Sequence, residues 1–500
     1  MRWSQLCRQA SHEASLMDVF RNMYAAHGPC SVADFMRLSL THPTHGYYTR
    51  QRQANQDMFG RTGDFITSPE ISELFGYTLS VWFHNMWSEY VASTDPVPYT
   101  YLELGPGRGT LAADFMRVTH QLQGAMKRAH PSMTSSIGNI ALVEASMPLR
   151  EMQQQTLAKV PGLSSQSLSF HDSIAHISKE GPPLFIVAHE FFDALPVHWF
   201  VRDPPESHSA PSSSSSASAS AQPAPTLLTQ RPPHVTKHAI RDILAAQRKN
   251  NQANSNANAS GEASPWSEIL LRPSEGGAET MSMVRGQTSR STALPSLLKL
   301  LPSHCVEYPH SHVHAQSEQS GRDQEQEQEN VVEISLESLS VMTVMAELLQ
   351  ARGGMALIVD YNKRPATLCG TSLMGIRGHE GVDWLENAGS VDLSHWPEFE
   401  SLAQVFKLTT QGQYTVAGPM AQPDFLLQSG INDIRQQFAA DAQEKMMPGF
   451  ERLLSMDTYA MMALVPSSFV KTGDEPLLGF HPVPEDSNAA DDDDDDDDSS

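Results

Sequence analysis

Cysteine is scarce in this sequence: four cysteines occur among 500 residues, and no two of them form a Cys-x-x-Cys pair. Disulfide frameworks and structural zinc clusters both depend on closely spaced cysteines, so this spacing supports neither and fits a reducing compartment. Long apolar stretches are missing as well, since no uninterrupted run approaches the roughly 18 residues that suggest a transmembrane helix. We therefore expect no membrane span.

Positive charge is also in short supply. Lysine and arginine number 34 against 58 aspartates and glutamates, which gives a formal net charge of −24, and residues 491–498 form an uninterrupted aspartate run. The rest of the chain is still acidic and has no basic stripe, so it would repel a phosphate backbone, and we expect no nucleic-acid partner. An acidic surface is instead compatible with a basic protein substrate.

The first residues include Arg2 and Arg8 and no acidic residue before Glu13. This pattern is typical of a short mitochondrial transit peptide over residues 1–14, and it fits an untargeted leader equally well. The residues alone leave both interpretations open.

The most informative segment reads Y-T-Y-L-E-L-G-P-G-R-G-T (99–110). Its β-prone first half ends in three glycines, Gly105, Gly107 and Gly109, and apolar residues at spacings of three and four follow. This pattern predicts a strand, a tight turn and a helix N-terminus, where backbone N–H groups approach a ligand without interference from Cβ. The spacing G-x-G-x-G departs from the G-x-G-x-x-G fingerprint of dinucleotide sites, and the carboxylate of Glu103 suits a cation better than a phosphate.

The segment resembles motif I of the S-adenosylmethionine (SAM)-dependent methyltransferases, in which the cation would be the amino group of the cofactor. An NAD-type site and a simple glycine turn are the alternatives. Glu144, at the end of the apolar run 140–144, favours a nucleoside cofactor, because a carboxylate there can accept hydrogen bonds from both ribose hydroxyls. The alternative for Glu144 is a strand-end carboxylate that faces water.

Two more candidate strands, at 168–172 and 184–190, continue the pattern. Alternating strands and helices predict an α/β fold with a parallel, doubly wound sheet of the Rossmann-like methyltransferase type. Ligands of such sheets bind beyond the carboxyl ends of the strands, where four acidic residues would lie together. They are Glu103, Glu144, Asp172 and Glu190. We add His171 to the candidate cofactor residues, with an ordinary strand-end histidine as the alternative.

The alternation stops near residue 203. Serine, asparagine, alanine and glutamine tracts in residues 203–335 cannot bury enough apolar surface to offset chain ordering, so we expect most of this span to be disordered, with residues 266–272 as a candidate extra strand. His310, His312 and His314 lie in this low-complexity sequence without a Cys or carboxylate partner, so we expect no metal site. The predicted organisation is a leader (1–14), a helical cap (15–95), the first part of a SAM-binding core (96–202), a low-complexity insertion (203–335), the second part of the core (336–470) and an acidic disordered tail (471–500).

Several segments together resemble the MidA family, which comprises mitochondrial complex I assembly-factor methyltransferases and their bacterial relatives. The matching blocks run from about residue 15 to 200 and from 335 to 465, in the family's order. They include S-V-A-D-F-M-R (31–37), H-G-Y-Y (45–48), G-D-F-I-T-S-P-E-I-S (63–72), E-L-G-P-G-R-G-T (103–110), V-E-A-S (143–146), H-E-F-F-D-A-L-P (189–196) and V-D-Y (359–361). The long insertion and the poly-Asp tail have no counterpart in the family pattern.

The resemblance implies a SAM-dependent protein arginine methyltransferase that forms symmetric dimethylarginine on a respiratory complex I subunit in the mitochondrial matrix. An arginine acceptor keeps its proton at neutral pH, and carboxylates can grip its planar fork through paired hydrogen bonds. We assign this catalytic role to Glu190 and Asp193, with Glu70 as the next candidate. Glu70 has an alternative place in the first turn of a helix, and Asp193 has one as a turn cap.

Two rival interpretations remain, because a fold does not fix a substrate. One is a non-catalytic complex I assembly platform on a SAM fold, and the other is a methyltransferase with another substrate. The intact glycines and Glu144 argue against the first, and the pair Glu190 and Asp193 argues against a neutral or acidic acceptor. Tyr47 and Tyr48 are assigned to the core rather than to a substrate site.

Overall fold

The computed structural model describes most of the two core regions and part of the chain between them. The described residues are 15–50, 66–91, 98–129, 137–163, 167–202, 266–275, 279–298, 331–362, 371–469 and 477–481. The predicted leader, the histidines at 310–314 and all of the predicted tail except 477–481 lie outside these residues.

The described residues contain the following secondary structure, in chain order. The α-helices are α1 (Leu16–His27), α2 (Val32–Thr41), α3 (Ser68–Ile71), α4 (Glu73–Val91), α5 (Thr110–Ala129), α6 (Met147–Leu157), α7 (Ser289–Leu298), α8 (Leu336–Arg352), α9 (Phe399–Thr410), α10 (Gln422–Gln428), α11 (Ile431–Gln436) and α12 (Ala440–Leu454). The strands are β1 (Cys30–Ser31), β2 (Tyr99–Leu104), β3 (Ile137–Val143), β4 (Leu168–His171), β5 (Leu184–His189), β6 (His198–Arg202), β7 (Trp266–Pro273), β8 (Met281–Gly286), β9 (Val331–Ile334), β10 (Gly354–Tyr361), β11 (Met374–Arg377), β12 (Glu380–Val382), β13 (Asp392–Ser394), β14 (Tyr414–Ala421) and β15 (Tyr459–Pro466).

A seven-stranded sheet forms the centre of the molecule, in the order β14-β15-β10-β5-β2-β3-β4. Its strands β10, β5, β2, β3 and β4 pair in parallel, and β14 and β15 complete it as antiparallel strands. The predicted α/β fold with a parallel sheet is therefore confirmed. The carboxyl ends of β5, β2, β3 and β4 lie side by side, which brings the four predicted strand-end acids to one edge of the sheet.

Helices cover both faces of this sheet, and successive residues of β5 pack alternately against the helices on one face and on the other. Ile186 and Ala188 belong to the apolar cluster built with α8 and α9, whereas Phe185 and Val187 belong to the cluster built with α4 and α5. All six residues of β5 are buried. Such near-continuous apolar strands are typical of parallel sheets that are covered on both faces.

A second sheet packs beside the first, with strand order β1-β7-β6-β9 and β8 paired to β7. Three of these strands and helix α7 fall within residues 203–335, so this span contributes regular secondary structure at 266–275, 279–298 and 331–335, beyond the one candidate strand expected there. The candidate strand at 266–272 is confirmed as part of β7. Its apolar residues Ile269 and Leu271 are buried against α1 and α2. In the sequence, the polar tracts on either side make this apolar pattern hard to recognise.

The predicted helical cap divides between these two sheets. Helices α1 and α2 begin at Ser15 and Ser31, whose hydroxyls accept the backbone N–H of Asp18 and Asp34, and both helices pack on the second sheet. Helix α4 instead packs on the central sheet. The physical reason is that α4 is apolar around most of its circumference, which suits a helix enclosed in a core.

A small three-stranded sheet, in the order β12-β11-β13, completes the described architecture. Through its strand β13 it contacts α2 of the N-terminal part. In the part of the chain that the structure describes, none of the helices combines the length and the apolar character that a bilayer crossing requires.

Candidate functional site

A cavity of about 720 Å³ opens at the carboxyl ends of the central strands. This size falls within the range of about 300–1,000 Å³ that is usual for small-molecule sites. Its position is the crevice where doubly wound sheets bind their ligands. The acidic residues that line it are Glu70, Glu103, Glu144, Asp172, Glu190, Asp193, Glu337 and Asp392.

The glycine loop between β2 and α5 forms one wall of the cavity. Gly105, Gly107 and Gly109 all have positive φ angles, of 63°, 51° and 79°. L-residues with a side chain rarely adopt this conformation. A Cβ on Gly105 would also lie 2.9 Å from a ring carbon of Phe191, so the loop has no room for a side chain there. The loop is therefore a cradle for a ligand that approaches the backbone closely.

Glu103 lies within β2, directly before this loop, and is almost completely buried. The hydroxyl of Tyr101 donates a hydrogen bond of 2.8 Å to its Oε2. Burial raises the pKa of Glu103 to about 7, against the smaller opposing effect of this hydrogen bond. A buried acid that lines a cavity favours a cationic ligand group, because the ligand's positive charge would stabilise the ionised form.

Glu144 follows β3 and lines the cavity beside the glycine loop. Its Oε1 accepts the backbone N–H of Ser146 at 2.7 Å, and its Oε2 accepts Nε2 of Gln153 at 3.3 Å. The same amide nitrogen of Gln153 donates to the carbonyl oxygen of Gly107 at 2.8 Å. Helix α6 thus fixes Glu144 and the loop relative to each other, and burial raises the pKa of Glu144 to about 7.

Asp172 and His171 have different positions at the end of β4. Asp172 lines the cavity and forms an ion pair with Arg150 of α6, whose Nε also donates to the carbonyl oxygen of Glu144. His171 does not belong to the cavity wall; its Nε2 lies 3.2 Å from the hydroxyl of Ser169 on its own strand. A cofactor role for His171 therefore gains no support from its position, because its side chain alternates to the other side of the strand end.

Glu190 follows β5 and has a positive φ angle of 46°, which is unusual for a residue with a side chain. Its side chain is 9% exposed, and its Oε1 has no hydrogen-bond partner; Nε2 of the buried His189 lies 3.5 Å away. Burial, followed by the negative charges of Asp193 and Asp360, raises the pKa of Glu190 well above its usual value. Burial lowers the pKa of His189 to about 3, so this ring is neutral.

Asp193 lies three residues further along the same turn and is 8% exposed. Its Oδ2 accepts the hydroxyl of Ser394 at 2.9 Å, whereas its Oδ1 is buried without a hydrogen-bond partner. Burial raises the pKa of Asp193 to about 6. Two carboxyl groups of the cavity wall thus each have one buried oxygen without a hydrogen-bond partner.

Asp360, at the end of β10, holds the turn that positions these two groups. Its Oδ2 accepts the backbone N–H groups of Phe191, Phe192 and Asp193 at 3.2, 2.9 and 3.4 Å, and its Oδ1 accepts that of Tyr361 at 2.9 Å. Residues 190–193 are thereby fixed by a strand neighbour in the sheet. The V-D-Y block (359–361) marks Asp360 in the sequence but does not indicate its contact with this turn, because Asp360 is 169 residues away from Phe191 along the chain.

Glu70 is placed by the short helix α3, in whose first turn it lies. Its Oε1 accepts the hydroxyl of Thr110 at the start of α5, and its Oε2 lies 3.8 Å from a guanidinium nitrogen of Arg108. Glu70 therefore connects α3 to the glycine loop. The expected alternative, a place in the first turn of a helix, is thus observed, and the contacts with Thr110 and Arg108 put Glu70 beside the cofactor loop.

Together, the fold and the cavity define a class: an α/β protein whose glycine loop and strand-end acids suit a nucleoside cofactor with a cationic group. Among the described residues, no group of three or more His, Cys, Asp or Glu side chains is arranged to hold a metal ion. The family model described as "Putative S-adenosyl-L-methionine-dependent methyltransferase" matches residues 78–419. The chain belongs to this family, and the expected MidA-like membership and SAM cofactor type are confirmed at the level of the family.

Individual proteins agree with this assignment. The chain is 43% identical over 194 residues to "Protein arginine methyltransferase NDUFAF7, mitochondrial" of Mus musculus, an alignment that covers 35% of this chain and 40% of that protein. This chain therefore spans about two fifths of the length of that relative. It is also 27% identical over 499 residues to "Protein arginine methyltransferase NDUFAF7 homolog, mitochondrial" of Drosophila melanogaster, which covers 94% and 89% of the two chains.

A solved structure shares the fold along nearly the whole chain. It is the crystal structure of a COG1565 superfamily member and likely methyl transferase from Burkholderia thailandensis bound to S-adenosyl-homocysteine. The TM-score is 0.61 at 18% sequence identity, with 96% of this chain and 97% of that chain covered. The overall architecture is thus that of a methyltransferase fold.

Proposed function

We propose that this protein is a SAM-dependent protein arginine N-methyltransferase of the mitochondrial matrix, acting on a subunit of respiratory complex I and forming symmetric dimethylarginine. The proposal of an arginine acceptor rests on one observation. Glu190 Oε1 and Asp193 Oδ1 are buried without hydrogen-bond partners, and both residues line the cavity that also contains the glycine loop. The names of the mouse and fly relatives support the reaction and a mitochondrial compartment. The complex I substrate rests on the resemblance to the MidA family.

The residues around the glycine loop fit SAM. Positive φ angles keep the backbone at Gly105 and Gly107 open to close approach, Glu103 suits the amino group, and Glu144 suits the ribose hydroxyls. The bound cofactor would supply an electrophilic methyl group on a sulfonium. We assign to this chain the task of aligning an acceptor with it, since holding two reactants in a productive geometry removes much of the barrier.

Glu190 and Asp193 would grip the acceptor guanidinium through its N–H donors and orient one nitrogen. Burial raises the pKa of both carboxyl groups, so each binds a proton more readily than an exposed carboxyl group does before the acceptor binds. A guanidinium favours the ionised forms, so its binding strengthens as the pH rises through about 6, the pKa of Asp193. The same carboxylates can take the proton that the acceptor nitrogen loses on methylation.

Methylation of a complex I subunit preparation in the presence of labelled SAM, followed by mass spectrometry of the modified residue, tests this proposal. We expect symmetric dimethylarginine from the intact protein. Glu190→Gln and Asp193→Asn are each expected to lower kcat/KM roughly 10- to 100-fold, the value of a hydrogen bond to a charged group, while SAM affinity is retained. Glu451→Gln, at an exposed position on α12, serves as the matched control. Methylation of a different residue type, or unchanged activity of both variants, would contradict the proposal.

A further inference from the structure

The acceptor end of the cavity contains a third carboxyl group that belongs to neither the glycine loop nor the 190–193 turn. Asp392 begins β13 of the small sheet, is 5% exposed and lines the cavity. Its negative charge contributes to raising the pKa of Glu190, which places the two groups in one electrostatic neighbourhood. Asp392 is thus close to the carboxylates that the proposed acceptor would contact.

Tyr48, in the loop that follows α2, holds this third carboxyl group. Its hydroxyl donates a hydrogen bond of 2.8 Å to Oδ1 of Asp392. Its carbonyl oxygen accepts the hydroxyl of Ser146, the residue that caps α6 next to Glu144. Burial, followed by the charges of Asp392 and Asp193, raises the pKa of Tyr48 far above its ordinary value, so the hydroxyl remains a hydrogen-bond donor. Tyr48 packs against the apolar cluster of α1 and α2, as expected of a core residue, and it also lines the cavity.

The strand β13 explains why Asp392 points towards the acceptor end. Side chains two residues apart in a strand lie on the same face. Ser394, two residues after Asp392, donates its hydroxyl to Asp193 Oδ2 at 2.9 Å, and the backbone N–H of His395 donates to the carbonyl oxygen of Asp193 at 2.9 Å. The face of β13 that carries Asp392 therefore adjoins the 190–193 turn.

We propose that Asp392, held by Tyr48, is a third acceptor-binding carboxylate and determines specificity for a positively charged guanidinium over its neutral isostere. This inference rests on the proposed arginine acceptor. A guanidinium presents five N–H donors in one plane, more than the free oxygens of Glu190 and Asp193 can accept. Asp392 lines the same cavity from strand β13. The loop that contains Tyr48 and the small sheet thus complete the acceptor site at the end of the central sheet.

Peptide binding to the full-length protein loaded with S-adenosylhomocysteine tests this inference. The probes are the blocked pentapeptides Gly-Gly-Arg-Gly-Gly and Gly-Gly-citrulline-Gly-Gly; citrulline is neutral and has a carbonyl oxygen in place of one NH₂ group of the guanidinium. Titration calorimetry gives both affinities. We expect the intact protein to prefer the arginine peptide, and Asp392→Asn to weaken its binding by about tenfold or more while hardly changing the affinity for the citrulline peptide. Tyr48→Phe, which removes only the hydroxyl, is expected to have the same effect to a smaller extent.

The matched control is Glu380→Gln, an exposed acid on β12 of the same small sheet that does not line the cavity. It is expected to leave both affinities unchanged, and retained S-adenosylhomocysteine binding shows that each variant is folded. If both Asp392→Asn and Tyr48→Phe keep the full preference for arginine, the inference is wrong and the proposed function stands. If the intact protein itself does not prefer the arginine peptide, the proposal of an arginine acceptor is wrong, and the inference that rests on it is wrong as well.

Discussion

Glu103 illustrates how strongly burial governs single residues at this site. Its carboxyl group lies in the cavity wall with one hydrogen bond, from Tyr101, and its pKa is about 7 rather than 4.5. The folded state therefore binds the proton more tightly than the unfolded chain does. By linkage, the free energy of unfolding contributed by this group falls as the pH rises from about 4.5 to about 7.

Glu103→Gln removes this titration but keeps an acceptor for the Tyr101 hydroxyl. In the absence of ligand, we expect the variant to melt at a higher temperature than the intact protein at pH 8 and at a similar temperature at pH 5. Thermal unfolding followed by circular dichroism at several pH values measures this difference. Glu151→Gln, at an exposed position on α6, is the control and is expected to follow the intact protein at every pH. A constant difference between Glu103→Gln and the intact protein across this pH range would show that Glu103 does not titrate there.

Asp360 is the residue whose role was least visible in the sequence. Its two oxygens together accept four backbone N–H groups, three of them from the turn that contains Asp193. Asn has only one oxygen, so Asp360→Asn would set an NH₂ group against backbone donors and loosen the turn. We expect kcat to fall about 10- to 100-fold while the dissociation constant for SAM stays within about twofold.

Steady-state kinetics and cofactor calorimetry on the same preparations separate these two quantities. The control is Asp383→Asn, which alters a comparable hydrogen bond of 2.9 Å, to the backbone N–H of Leu385, at an exposed turn. An unchanged kcat for Asp360→Asn would mean that the turn keeps its shape without the carboxylate. Equal losses of kcat and SAM affinity would instead point to general unfolding.

Elements with a clear apolar period were predictable, and elements with a mixed pattern were not. The segment 99–110 predicted the strand–turn–helix unit β2–α5. In contrast, β8 reads M-S-M-V-R-G and, among the described strands, pairs with β7 alone. Its short, half-polar pattern resembles the low-complexity tracts around it, so only tertiary pairing with β7 decides that it is a strand.

The second sheet contains a buried ionic network that should contribute to its stability. Glu268 of β7 is completely buried and is bound by His198, Thr288 and Arg290. Removing its charge leaves Arg290 beside a neutral, buried side chain and puts an NH₂ group where a second acceptor oxygen stood. We expect Glu268→Gln to lower the free energy of unfolding by about 3 kcal/mol, a typical cost of breaking a buried ion pair.

Urea unfolding followed by tryptophan fluorescence measures this change. Glu275→Gln is the control, because the side chain of Glu275, two residues after β7, is 90% exposed and its ion pair with Arg272 spans 3.7 Å. Such surface pairs contribute little, so we expect a change within about 0.5 kcal/mol. Similar unfolding curves for Glu268→Gln and Glu275→Gln would contradict a structural role for the network.

At the scale of the whole molecule, a long connection joins two strands that are direct neighbours in the second sheet. Arg202 at the end of β6 and Trp266 at the start of β7 are antiparallel partners in register. Residues 203–265 therefore join two points that a short hairpin loop can bridge. Replacing them with a two-residue Asn-Gly turn is expected to preserve folding and SAM affinity, which thermal unfolding and calorimetry would measure. A loss of folding or of SAM binding would show that this span supports the core.

The arrangement of the site also shows where inference from the sequence reaches its limit. The four strand-end acids were predictable as neighbours, because the order of parallel strands places their carboxyl ends at one edge. Contacts between distant segments were not: Tyr48 and Asp392 are 344 residues apart, and Ser394 and Asp193 are 201 apart. Motifs locate residues on individual strands, whereas the packing of separate sheets decides which side chains share a cavity.

Calorimetric titration of the purified protein with SAM tests the central claim most directly. The intact protein is expected to bind, and Gly107→Val is expected to abolish binding, because a β-branched residue is strained at a φ of 51° and its side chain would intrude on the cradle. Gly412→Val is the matched control: Gly412 has a φ of 83° at an exposed turn with no atom near its Cβ position, so the backbone strain is similar and the cavity is untouched. We predict that Gly412→Val binds SAM as the intact protein does. Absence of SAM binding by the intact protein, or equal binding by Gly107→Val, would contradict the account.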